Sequence, residues 1–415
     1  MHGLKLMGAV ALTALLAGSS EAAPRRNDKV WSAVEANRQG AVDFLKEIVS
    51  IDSGTGDVAG GNRVVALLKP RLEALGAQVS TSPAEAPDLP PNLLATFKGS
   101  GKGRILIIAH YDTVYGPGTV AQRPFRIEGN RGIGPGVVDE KGGVVNAITA
   151  LKILRELGFK NFATITLLVE SSEERGSPGA TNLIKTLAAQ HDVEFNMEPG
   201  DQPDVLTVWR KGSVALRIQV KGRAAHAGVS PQDGRNAALE LIHQVGLLDG
   251  VFPHSGDGIT VNLTLMNAGD RNNIIPETAE ANFNIRYRRP EELEQIMARA
   301  RANAANTVVP DTVVTVVPPA TAFPPLVENA QIDALADKAG AIYAEIGKTI
   351  GRGGNGGASE SALAMSVGTP ALDGLGYIGG DFHTEKEWID LNSVAPRLYL
   401  FTRLLMEYGA TPPKK

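Results

Sequence analysis

Histidines and carboxylates recur in this sequence at places where an apolar run ends. His110-Tyr111-Asp112 follows the run RILIIA at 104–109. In open α/β sheets, ligand sites collect at the carboxyl ends of strands. A histidine ligand also needs its second ring nitrogen held by an acceptor, and a carboxylate two residues on can do that. Alone, His-x-Asp is more often a structural turn. Glu173-Glu174 lies just past a second apolar run, ATITLLV at 163–169. Neighbours in extended chain point to opposite sides. One carboxylate can therefore bind a metal while the other faces a water on that metal. This division suits hydrolysis, because a metal makes water more acidic and a free carboxylate takes its proton. A solvated acidic turn is the ordinary reading of a Glu pair; the other marked segments in the same half favour chemistry.

Three further segments join them. The stretch GPGVVDEKGG at 134–143 carries Asp139 just ahead of a helical pattern, and its glycines let backbone approach a bound group. It contains no phosphate-loop Gly-Lys-Ser/Thr. Glu198-Pro199 follows Phe195-Asn196-Met197, and His383 sits in the run GGDFHTE at 379–385. Together, two histidines and three carboxylates could fill a pair of metal sites bridged by one carboxylate, with ions about 3.5–4 Å apart. The chain has no cysteine, so His, Asp and Glu must hold any metal. Nitrogen and oxygen ligands suit zinc, with manganese or cobalt as alternatives.

The elements that must position these residues fall into two patterns. From about 28 to 200, helix and strand signals alternate: helices over 30–51, 62–75 (with Pro70 inside) and 142–157, and buried strands over 104–109 and 163–169. Such alternation predicts a largely parallel sheet covered by helices. After about 211 the strands alternate strictly, at 216–220 and 281–287, which predicts an antiparallel sheet with one buried face. Helices over 236–248 and 290–305 can cover it. The tail returns to the first pattern, ending in a helix over 395–408. The division is therefore 23–210 and 325–415 for a catalytic α/β domain, interrupted at 211–324 by a smaller α+β domain.

Composition narrows the class. With 41 Lys and Arg against 45 Asp and Glu, the net charge of -4 gives no reason to expect a nucleic acid partner. Residues 1–22 read as a signal peptide, with Lys5, an apolar stretch at 7–17 and Ser20-Glu21-Ala22 as the cleavage region. The expected location is periplasmic or secreted. Beyond it, no apolar run is long enough to span a bilayer.

In order and context, His110-x-Asp112, Gly136-x-x-Asp139-x-Lys141-Gly142-Gly143, Glu173-Glu174, Glu198-Pro199 and His383 resemble the M20 family of metallopeptidases, in particular its bacterial glutamate carboxypeptidases. The likeness extends over essentially the whole mature chain, including 273–276 (NIIP) and 396–399 (PRLY). It implies a catalytic α/β domain interrupted by an α+β sandwich that serves as lid and dimerisation domain. It also implies two zinc ions per subunit, one on His110 and Glu198, the other on Glu174 and His383, with Asp139 bridging. Glu173 would be the general base and then the proton donor to the leaving amine, and Asp112 would orient His110. The lid's His226 would polarise the scissile carbonyl, and Asn273, Arg286 and Ser359 would bind substrate. The implied partners are a small peptide or N-acyl amino acid and a second copy of the chain. There are two departures: the stretch 318–324 (PPATAFP) lacks an arginine that relatives place near the end of the lid, and Glu360 stands where the family has an aspartate. The expected activity is release of a C-terminal amino acid, with an aminoacylase or dipeptidase as alternative. A periplasmic solute receptor also has two domains around a cleft, but it has no use for a free carboxylate beside a metal-activated water.

Overall fold

The computed structural model describes residues 25–319 and 322–413; the signal peptide expected over 1–22 lies outside them. The strand Arg104–His110 is the reason the large sheet is buried on both faces. Ile105, Ile107 and Ala109 pack into one hydrophobic cluster, Leu106 and Ile108 into another. Each fully buried Ile or Leu contributes roughly 1.5–3 kcal/mol, so a continuous apolar run is stable only where both faces are covered. Helices Asp28–Val49, Lys141–Glu156 and Val394–Ala410 cover the first face. Helices Thr181–Gln190 and Ser361–Ser366 cover the second.

The sheet has six strands in the order Gln78–Ser82, Asn92–Lys98, Thr164–Glu170, Arg104–His110, Val193–Asn196 and Ala371–Leu372. The last four run parallel, and Asn92–Lys98 runs antiparallel to both of its neighbours. Register puts His110 opposite Glu170 and Ile108 opposite Asn196. The segments leaving these strands, which carry Asp112, Glu173, Glu174 and Glu198, therefore emerge at one edge.

Helix ends follow local chemistry. The helix expected from residue 62 begins at Val58, because the Asp57 side chain accepts the Gly60 N–H. Asn236 caps Ala237–Leu248 in the same way, accepting from Ala238 and Leu239. Such caps stabilise by about 1 kcal/mol.

Residues 212–317 form layers of their own. Gly212–Lys221 pairs with Thr278–Tyr287 and Val313–Val317, and Thr260–Ala268 is the outer strand. Burial alternates along Gly212–Lys221 and Thr278–Tyr287, and the inner faces meet helices Ala237–Leu248 and Pro290–Ala304 around Leu216, Ile218, Phe283, Leu241 and Ile296. Among the described residues, no helix is long and apolar enough to cross a membrane.

Candidate metal centre

His110 ends its strand with its ring fully buried. Its Nδ1 lies 3.1 Å from the Asp112 main-chain oxygen and 3.4 Å from Asp112 Oδ1. This turns Nε2 toward a group of carboxylates: Asp139 Oδ1 at 3.3 Å, Glu198 Oε1 at 3.4 Å and Glu173 Oε2 at 3.9 Å. Asp112 also holds the acidic pair, its Oδ1 accepting the Glu173 N–H and its Oδ2 the Glu174 N–H. The pair does not lie in extended chain, as the sequence suggested. Glu173–Arg175 is a single 3-10 turn, and the two carboxylates diverge because successive residues there are about 120° apart.

On the other side, His383 Nε2 lies 3.1 Å from Glu174 Oε2 and 3.2 Å from Asp139 Oδ2. Asp139 thus gives one oxygen to each histidine. The glycine-rich loop that carries it makes this approach possible, since Gly136 adopts a left-handed φ of 67°. His383 is itself left-handed, at φ 60°.

The electrostatics call for positive charge. Burial pushes the Glu173 carboxyl well above its usual range, with Glu198, Glu360 and Glu174 adding to the rise against His110. Burial would lower the His110 imidazole, but Asp112, Asp139 and Glu198 outweigh it and raise the group well above its ordinary value. Hydrogen bonds from Asp139 and Glu174 push His383 up to about 10. Burial opposes ionisation of Asp139, yet His110 and His383 hold it below the ordinary carboxylate range. So many carboxylates in a buried place are stable only with cations or protons among them. The donors fit a divalent cation. His110 Nε2 and Glu174 Oε1 are buried without a hydrogen-bond partner. Ligand atoms of His110, Glu173 and Glu198 lie within 4.8 Å of one another, as do those of Asp139, Glu174 and His383.

A cavity of about 800 Å³ opens over this cluster. Arg286, Asn284 and Ser213 line it from the side of the 212–317 layers. Arg286 donates from Nε to Asn284 Oδ1 at 3.1 Å and from Nη1 to the Gly356 carbonyl at 3.3 Å. The other residues expected to meet the substrate are placed elsewhere. His226 and Asn273 are exposed neighbours beside the short pairing of Ala225–His226 with Ile274–Ile275, and neither lines the cavity. Ser359, expected at the substrate, is fully buried, and its hydroxyl donates to Asp373 instead of facing the cavity.

Several buried charges around the cluster were not singled out in the sequence. Glu140 accepts the His110 main-chain N–H at 2.9 Å. Glu387 accepts the N–H groups of Gly136, Val138 and Asp139, and the Tyr115 hydroxyl. Arg210 joins Glu198 to Asp373. Only Glu140 left a trace in the sequence, directly after Asp139 in the glycine-rich stretch 134–143.

A buried His–carboxylate cluster at the strand ends of an α/β sheet, under a second domain, defines a metal-dependent hydrolase. Residues 106–407 match the model of peptidase family M20/M25/M40, and the chain belongs to this family. It is 33% identical to carboxypeptidase G2 of Pseudomonas sp. (strain RS-16) over 407 residues, 97% of each chain. It is 26% identical to the succinyl-diaminopimelate desuccinylase of Beijerinckia indica subsp. indica, covering 89% of this chain and 98% of the relative. Among solved structures, a tripeptidase from Staphylococcus aureus superposes with a TM-score of 0.72 at 20% identity, over 90% of this chain and 99% of that one.

Proposed function

We propose that the protein is a two-metal amidohydrolase that releases a C-terminal amino acid from a small peptide or an N-acyl amino acid. The observation that carries this reading is Asp139, whose two oxygens lie at 3.3 and 3.2 Å from two different histidines. His110 and Glu198 would hold one zinc ion, Glu174 and His383 the other, with Asp139 shared; cobalt or manganese suits the same donors. The ions would supply the positive charge that makes water acidic and polarises an amide carbonyl. Glu173 stands farthest from His110 Nε2 of the nearby carboxylates, at 3.9 Å, and stays free as general base. Its burial favours the protonated form, so it takes the proton from the attacking water and delivers it to the leaving amine. Asp112 keeps His110 oriented and the Glu173 main chain in place.

Arg286 faces the cluster across the cavity with N–H groups to spare, and its partners are uncharged oxygens. It is suited to the terminal carboxylate of a substrate. Residues 211–324 act as lid and dimerisation domain on a catalytic unit of 23–210 and 325–415. His226 and Asn273 reach the substrate when the lid closes or when a partner subunit supplies them. The outer strand Thr260–Ala268 supports a homodimer, because it exposes Leu263, Leu265 and Met266 beside unpaired backbone. The sequence of residues 1–22 supports export to the periplasm or medium.

The test is hydrolysis of a panel of N-acyl amino acids and dipeptides, each with its C-terminal amide, after chelation and zinc addition. The free acids should be cleaved roughly 10²-fold or more faster than the amides, as expected where a built polar contact is lost. Arg286→Gln should raise KM for the acids and narrow that gap. Equal cleavage of acids and amides rejects carboxylate recognition. A preference for N-succinyl substrates, whatever the amine, would move the reading toward the desuccinylase relative.

A further inference from the structure

Arg210 lies where the chain passes into the lid. Its N–H donates to the Leu326 carbonyl at 3.0 Å and its carbonyl accepts the Leu326 N–H at 3.1 Å, so the entering and leaving segments pair there. The side chain turns inward and is only 5% exposed. Its Nε donates to Asp373 Oδ2 and its Nη2 to Asp373 Oδ1, both at 2.8 Å. Nη2 also donates to Glu198 Oε2 at 3.1 Å, and Nη1 lies 3.4 Å from Asn355 Oδ1. Asp373 directly follows the edge strand Ala371–Leu372 and takes a further hydrogen bond from the Ser359 hydroxyl.

The two oxygens of Glu198 are thereby divided. Oε2 is bound to Arg210, and Oε1 is the oxygen 3.4 Å from His110 Nε2. A carboxylate free to rotate would present either oxygen or both, changing the number of donors on that side. We propose that Arg210 is a positioning residue for the metal centre, fixing the rotation of Glu198 so that Oε1 alone faces His110. The inference rests on the two-metal reading above.

Arg210 lines the cavity, but most of its donors are already taken. Guanidinium has five N–H donors, and four of them are directed at Asp373, Glu198 and Asn355. Arg286 differs, having no carboxylate in hydrogen-bond range among the described residues. A planar fork is also what the geometry needs. Lysine keeps the charge but cannot bind both Asp373 oxygens and Glu198 in fixed directions. The anchor at the far end, Asp373, is fully buried directly after the edge strand of the large sheet, so the restraint reaches Glu198 from a packed position.

The experiment titrates metal-free protein with zinc against a chromophoric chelator, comparing wild type, Arg210→Lys and Asp373→Asn. Loss of an outer partner of a metal ligand costs about 10–100-fold in affinity. Both variants should therefore weaken one of two zinc equivalents by that factor and leave the other within about threefold. Excess zinc should restore part of kcat, with KM for carboxylate-terminated substrates little changed. If either variant does not fold, Ser359→Ala removes only the brace on Asp373 and should weaken the same equivalent to a smaller degree. Unchanged affinity at both sites with a raised KM would make Arg210 a substrate anchor and overturn the proposal. A lower melting temperature with unchanged zinc affinity would make it a structural strut, and would also overturn it. Wild-type protein that takes up no zinc would reject the two-metal reading itself, a separate outcome.

Discussion

The two halves of the metal cluster are built from different material. The His110 half hangs from the central sheet: its imidazole is fully buried, its main-chain N–H is held by Glu140, its Nδ1 by Asp112, and its carboxylate partner Glu198 by Arg210. The His383 half sits on a turn whose side chain is 52% exposed. That turn is held mainly by Glu387 beneath the Asp139 loop and by the Trp388 indole on Asp381. Ligands on sheet ends are held more closely than ligands on loops, and loops open at lower free energy. On the two-metal reading, the His110 half would hold its ion more tightly than the His383 half. Asp139 belongs to both halves and ties them together.

The largest effect should come from a residue the comparison leaves out. Glu173→Gln keeps every proposed ligand, so both halves should load with zinc while kcat falls by roughly 10³-fold, within the range for a lost general base. Metal analysis beside steady-state rates checks this, and retained turnover would remove Glu173 from its role. Next come the histidines themselves. His383→Ala should lose one zinc equivalent and retain the tighter one, with a cooperative melt close to wild type. His110→Ala should lose the tighter equivalent and also melt lower, because it leaves buried carboxylates without their imidazole. Matching losses in the two variants would erase the distinction between halves. The smallest effect should come from Glu387→Gln, which weakens acceptors for the 136–139 loop. It should cost up to about tenfold in affinity, read by chelator competition and felt at both sites because the loop carries the shared Asp139; unchanged affinity at both would contradict the loop assignment.

How legible all this was in the sequence depended on distance along the chain. The parallel strands showed themselves, since RILIIA and ATITLLV are continuous apolar runs, and the residues just past them carry the chemistry. The antiparallel pair formed by Gln78–Ser82 and Asn92–Lys98 gave weaker signals, the first strand being short and mostly polar. The alternating strands of the 212–317 unit were equally plain, because one buried face imposes a period of two. Family likeness, not local pattern, supplied the assignment of each ligand to an ion. The supporting charges stayed hidden for a physical reason. A lone Arg or Glu in a sequence reads as a solvated side chain, and Arg210 acquires its meaning only from Asp373, 163 residues away. Glu387 likewise serves Gly136 across 251 residues. The Glu173-Glu174 pair was found by type but given the wrong backbone, because a single 3-10 turn has no period to detect. Ser359 was carried over by likeness, and the buried Asp373 that claims its hydroxyl could not be foreseen.

The central claim is that one carboxylate joins two metal sites, and zinc titration of metal-free wild type and Asp139→Asn tests it most directly. Wild type should bind two equivalents per chain, and the variant should lose affinity at both together. A variant that loses one equivalent and keeps the other at wild-type strength would show that Asp139 serves a single ion, and the shared-carboxylate account would be wrong.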